Sequence, residues 1–118
     1  MTTAQWGSIL HQAADLGVLT VRFTGGEPLL RPDFADIYQI ARKLGLKVLL
    51  FTNARLIDTR LAQLFTRIPL LEKIEISVYG LHRKTYESVS RVSGSFSQFQ
   101  RGVRLLEEHR IPFIVIPS

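Results

Sequence analysis

Val18-Leu19-Thr20-Val21-Arg22-Phe23-Thr24-Gly25-Gly26-Glu27-Pro28 is a short β-rich run that stops abruptly at two glycines. What flanks it decides the fold. Upstream, Trp6, Ile9, Leu10, Ala13 and Leu16 recur at helical spacing, with Thr2 or Thr3 available as N-cap and Gly17 placed to terminate. Downstream the helix-then-strand unit returns. Asp33 is expected to cap a helix whose face is Phe34, Ile37, Ile40, Ala41 and Leu44, closed by Gly45, and Lys47 to Phe51 follows as a strand. Asp58 caps a third helix through Leu61, Leu64, Phe65 and Ile68, stopped by Pro69, and Ile74 to Val78 is the third strand. A long connection from Tyr79 to about Gly94 then precedes a fourth helix with Phe96, Phe99, Val103 and Leu106 inward and Ser95 or Ser97 as cap. Phe113 to Ile116 is the fourth strand.

Helices and strands alternate strictly, and the first three strands start roughly 25 to 30 residues apart, the length of one βα unit. The fold class is therefore α/β, a parallel sheet of about four strands, either open and doubly wound or an arc of a barrel. A chain that opens on a helix and closes on the apolar run Phe113-Ile114-Val115-Ile116 favours the arc, whose sheet edges need covering. Residues 1–118 are expected to form one domain without linkers or low-complexity segments.

Composition is that of an ordinary globular chain, 46% hydrophobic and 21% charged. Its 118 residues include no cysteine, which excludes disulfides, thiolate nucleophiles and cysteine-held metal or iron-sulfur centres within the chain. His11, His82 and His109 are too scattered to make a metal site, so none is expected. The charge of +5, carried mostly by arginine, is spread along the whole length without aromatic interleaving, so nucleic-acid binding is not expected. No leader or membrane-length apolar run is visible, and a cytoplasmic protein is the default.

In parallel α/β folds chemistry gathers at the carboxyl ends of the strands. That edge here collects Thr24, Gly25, Gly26, Glu27 and Pro28 after the first strand, Thr52 and Asn53 after the second, and Ser77, Tyr79 and Gly80 at the third. The glycines let the backbone turn and approach a ligand, and Glu27 offers a carboxylate suited to an ammonium group. Taken singly, Glu27 reads equally as a solvated turn residue, Ser77 as a strand-end hydroxyl, Asn53 as a helix-entry residue and Arg91 as a loop arginine. Tyr79 and Tyr86 fit rim packing.

Together, Val21-Arg22-Phe23-Thr24-Gly25-Gly26-Glu27-Pro28-Leu29-Leu30-Arg31-Pro32-Asp33-Phe34, Phe51-Thr52-Asn53, Ile76-Ser77-Val78-Tyr79-Gly80 and Ser93-Gly94-Ser95-Phe96 resemble, in order and spacing, the radical S-adenosylmethionine (SAM) superfamily. The likeness is to its branch with a C-terminal SPASM or related extension, which contains peptide maturases, pyrroloquinoline quinone biosynthesis proteins, anaerobic sulfatase-maturing enzymes and heme-decarboxylating relatives. The resemblance implies an arc of a partial (β/α)6 TIM-like barrel, from its first helix to its fifth strand. It implies that Gly25, Gly26 and Glu27 hold the SAM amino group, that Ser77 and Arg91 hold its carboxylate, and that Asn53 lies near the cofactor. Ala54 stands where the family usually has glycine.

The family's Cys-x3-Cys-x2-Cys loop, which holds a 4Fe-4S cluster, has no counterpart in this sequence. The resemblance thus implies a piece of a radical SAM enzyme whose parent cleaves SAM to a 5′-deoxyadenosyl radical acting on a peptide or small molecule. The chain alone is expected to be inactive, with SAM as a partly bound cofactor, no catalytic residue of its own, and a homodimer suggested by its sheet edges. The alternative is a cluster-free half-barrel that binds SAM, a nucleotide or a partner chain.

Overall fold

The computed structural model describes residues 1–78, 83–90 and 92–117. Helix α1 (Thr3–Asp15) leads into β1 (Thr20–Phe23), a 3-10 turn (Pro28–Leu30) and α2 (Phe34–Lys43). Strand β2 (Lys47–Thr52), α3 (Thr59–Arg67) and β3 (Leu71–Val78) follow, then α4 (Arg83–Ser90), α5 (Ser95–Glu108) and β4 (Phe113–Pro117). The four strands pair in parallel in the order β1-β2-β3-β4. A doubly wound sheet must reverse its strand order. Sequential order with right-handed crossovers instead winds every helix onto one face, so the sheet is the barrel-type arc.

Burial agrees with single winding. Val48, Leu50, Ile74, Ile76 and Val78 are buried with Ile37, Ala41, Phe65 and Leu106 of the helices, whereas the alternate residues Leu49, Phe51, Glu75 and Ser77 are only half-buried. Under the helices, the Phe34, Tyr38 and Phe65 rings meet at centroid distances of 5.2 to 6.4 Å. The Tyr38 hydroxyl donates to the Ile68 carbonyl, which closes the end of α3. Burial raises the Tyr38 phenol above its ordinary value, so it stays a donor.

Helix ends follow the expected chemistry in part. Thr2 and Gln5 form a reciprocal capping box on α1, and the Asp58 carboxylate accepts from Leu61 N at 2.9 Å on α3. Asp33 stands at the N-cap of α2 but makes no side-chain cap bond. Its carboxylate is instead taken by the Arg31 guanidinium at 2.9 Å and by the Thr3 hydroxyl, which ties α1 to α2. Neither Ser95 nor Ser97 caps α5, because Gly94 in the left-handed conformation is its N-cap. Ser95 is buried against the Ser90 hydroxyl at 2.7 Å, and Ser97 accepts from Arg83.

The connection after the third strand contains a helix that hydrophobic periodicity missed. α4 is held by long-range contacts: Tyr86 is fully buried against Phe96 and Phe99, and Glu87 accepts from Arg83 and from Phe96 N. β3 also starts three residues earlier than expected, with a register shift against β2 between Val48 and Leu50 and a left-handed Leu71. No helix among the described residues is long and apolar enough to cross a membrane.

Two predictions follow from these contacts. A Cβ on Gly102 of α5 would lie 2.0 Å from the Ala54 carbonyl oxygen, a backbone atom that cannot swing away. Gly102→Ala is therefore expected to destabilise the chain by at least about 1–3 kcal/mol, read as a lowered urea midpoint. The Arg31 guanidinium, then the Thr3 hydroxyl, hold the Asp33 carboxyl below its ordinary 3.8, at about 2. A depressed carboxyl contributes stability that is full above the ordinary value and lost as pH falls through the folded one. Wild type should thus lose stability relative to Asp33→Asn as pH drops from about 4 to about 2, measured by denaturation at each pH.

Candidate functional site

The site begins where β1 ends. Gly25 takes φ +83, a conformation only glycine adopts without strain, and turns the chain back over the sheet edge. Glu27 then caps the 3-10 turn: its Oε2 accepts from Leu29 N at 2.9 Å, and Pro28 occupies the first helical position, where no N–H is needed.

The same carboxylate reaches the next loop. Its Oε1 accepts from Asn53 N at 2.8 Å, and the Thr52 hydroxyl lies 2.9 Å from both of its oxygens. Thr52 Oγ1 also accepts from Ala54 N at 3.1 Å, and Asn53 Oδ1 from Arg55 N at 2.9 Å. Glu27 thereby joins the loops after β1 and β2. Three protein donors occupy the carboxylate, leaving about one of its roughly four acceptor positions free.

Ala54 takes a left-handed turn at φ +67. A non-glycine residue there costs about 1 kcal/mol and persists only where its surroundings over-determine it. They do: Ala54 is fully buried, its N–H is bound by Thr52, and Gly102 presses on its carbonyl.

Gly25, Gly26, Glu27, Asn53 and Ser77 line one open cavity of about 250 Å³ with Thr24, Phe51 and Thr52. Five of the six expected binding residues are thus brought together, while Arg91 lies outside the described residues, as do Tyr79 and His82. Ser77 Oγ and the Asn53 side-chain nitrogen take no hydrogen-bond partner among the described residues. Gly26 has no positive φ, and among the described residues none lies within 4 Å of an added Cβ, so their packing does not require glycine there.

Thr52 is the residue that sequence reasoning undervalued. It occupies the helix-facing register of Val48 and Leu50 and is almost fully buried. A hydroxyl in that apolar series needs a partner, and the partner is Glu27. The donor set also tests the cofactors. Open glycine backbone, one free carboxylate position and unpaired polar atoms fit the polar end of SAM. An iron-sulfur cluster does not fit, because the chain has no thiolate and its described residues contain no group of three metal-binding side chains.

The model of the radical SAM superfamily matches residues 1–117. The chain is 34% identical over 112 residues to the PqqA peptide cyclase of Gluconobacter oxydans (strain 621H), which covers 95% of this chain and 31% of that protein. It is 26% identical over 113 residues to the AdoMet-dependent heme synthase of Methanosarcina barkeri (strain Fusaro / DSM 804), covering 96% and 32% respectively. It therefore spans about a third of the length of these relatives. The fold superimposes on native anSMEcpe with bound AdoMet and Kp18Cys peptide at TM-score 0.76 and 20% identity, over 93% of this chain and 33% of that one. A sheet wound as a barrel arc, a Gly-Gly-Glu turn on its carboxyl edge and a family match over nearly every residue place this chain in the radical SAM superfamily.

Proposed function

We propose that this chain supplies the rim that holds the methionine end of SAM in a radical SAM protein of the peptide- or cofactor-maturing kind. In this reading the open backbone at Gly25 and Gly26 and the remaining acceptor position of Glu27 take the SAM ammonium. Ser77 and Arg91 take its carboxylate, and Asn53 orients the loop beside it. None of these groups makes or breaks a bond. They bind and orient, and Glu27 does so partly by bracing the two loops.

The observation that carries the reading is Gly26, a glycine with no conformational or packing reason among the described residues, set in a cavity with Glu27 and Ser77. Open backbone at such a point suits close approach of a ligand. The protein to which the rim belongs would cleave SAM reductively and use the resulting 5′-deoxyadenosyl radical on a peptide or small molecule. The 118 residues alone do not carry that cleavage, since they hold no cluster ligand. The lack of any cysteine favours a second reading, a cluster-free module that binds SAM or a nucleotide without cleaving it.

Isothermal titration with SAM tests the rim. Binding is expected in about the millimolar range, and Gly26→Ala is expected to weaken it about fivefold or more while shifting stability by no more than about 0.5 kcal/mol. No heat with SAM, or full binding by the alanine variant, would count against the proposal. Thr52→Val should destabilise by about 1–3 kcal/mol in urea, because it removes a donor to Glu27 and the acceptor of Ala54 N–H. Anaerobic reconstitution with iron, sulfide and SAM should yield no 5′-deoxyadenosine from this chain.

A further inference from the structure

The two edges of this sheet are unlike each other. With right-handed winding, α2 lies over the gap between β1 and β2, α3 over that between β2 and β3, and α5 over that between β3 and β4. α1 precedes β1 and packs on α2, through the Thr3 hydroxyl on Asp33 and through Gly7, where an added Cβ would meet Ile40 at 3.6 Å. It therefore lies beyond β1, over a gap that has no second strand among the described residues.

That gap holds an apolar groove of about 300 Å³, lined by Trp6, Ile9 and Ala13 of α1 and by Val21 and Phe23 of β1. Ile9 stays 44% exposed there. The opposite edge is the counterpart. No described helix covers the outer side of β4, and Ile114, Val115 and Ile116 are each 41% exposed. One edge carries a helix without a strand beneath it, and the other a strand without a helix above it.

The backbone matches as well. Lys47 N donates to Leu19 O, and Ile74 N donates to Pro112 O. Alternation then turns the N–H and C=O groups of Thr20 and Arg22, and those of Phe113 and Val115, to the two open edges. If β4 of a second copy lies parallel to β1 with Phe113 beside Val21, Phe113 N meets Thr20 O, Arg22 N meets Phe113 O, and Val115 N meets Arg22 O. The faces agree in this register. Val21 and Phe23 are paired with buried Val48 and Leu50, and Phe113 and Val115 with buried Ile74 and Ile76, so all four lie on the helix side. On the other side, Arg22 of one copy stands in one row with Ile114 and Glu75 of the other. The junction thus faces opposite charges rather than like ones.

We propose that two copies of this chain close head to tail into one eight-stranded parallel barrel, with β4 of each copy beneath α1 of the other. Four strands are half of the eight at which a barrel interior is just filled by side chains. A two-fold axis along the barrel repeats the β4–β1 junction, and closure leaves no open edge. Each of the eight gaps between strands is then covered by one helix, α1, α2, α3 or α5 of either copy. The driving force is removal of both apolar edges from water, with Val115 of one copy set against Ile9 of the other. The arrangement does not depend on whether the rim takes SAM.

Sedimentation velocity on the 118-residue chain tests the barrel. A dimer is expected at about 50 µM, with no larger species up to about 500 µM. Ile9→Lys in the groove and Val115→Glu on β4 alter residues that are exposed in a single copy. Each should weaken the dimer at least about tenfold while leaving the far-UV circular dichroism spectrum unchanged. An equimolar mixture of the two should recover the dimer, because one junction is then native and the other brings opposite charges together. Arg22→Pro removes an N–H from the open edge alone and should weaken the dimer to a similar degree. A wild-type monomer at about 500 µM, species that keep growing with concentration, loss of the dimer in only one of the two charge variants, or a mixture that stays monomeric would each overturn the proposal.

Discussion

One carboxylate organises the carboxyl edge of this sheet. Glu27 receives Leu29 N from its own turn and Asn53 N and the Thr52 hydroxyl from the next loop. Without it, two βα loops would end independently, each with buried donors unsatisfied. With it, the loops after β1 and β2 form one rim, and a cavity exists between them. Charge-assisted bonds suit the task because they are stronger than neutral ones and resist displacement by water. The same bonds limit Glu27 as a ligand-binding group, since most of its acceptor capacity is already committed.

The rim is also supported from behind. α5 reaches the Asn53 loop through Gly102, whose lack of a side chain lets the helix rest on the Ala54 carbonyl. That contact and the Thr52 bond hold Ala54 in a left-handed turn, a conformation that a residue with a side chain rarely takes. At the next position the Arg55 guanidinium is tied to Gln98 of α5, a second link between that helix and the loop.

The two faces of the sheet obey different physics. Beneath the helices, aromatic and aliphatic side chains supply stability through burial, with Tyr38, Phe34 and Phe65 at the centre. On the opposite face Arg22 is exposed and Lys73 and Glu75 are half-buried, in alternation with the buried residues of the same strands.

Much of this was legible in the residues alone. Hydrophobic periods of 3.6 and 2 located four of the five helices among the described residues and all four strands to within a few residues, because each element buries one local face. The Gly-Gly-Glu turn, Asn53 and Ser77 could be placed on one edge for the same local reason. α4 was not legible, since Tyr86 anchors it to Phe96 and Phe99, residues distant from it in the period. Asp33 carries the signature of a helix cap, but Arg31 and Thr3 compete for its carboxylate more effectively than the backbone does. The sequence by itself determined which groups stand at the strand ends. Only the tertiary structure decided their partners, because a carboxylate bonds to whichever donors the packing of other elements brings within about 3 Å.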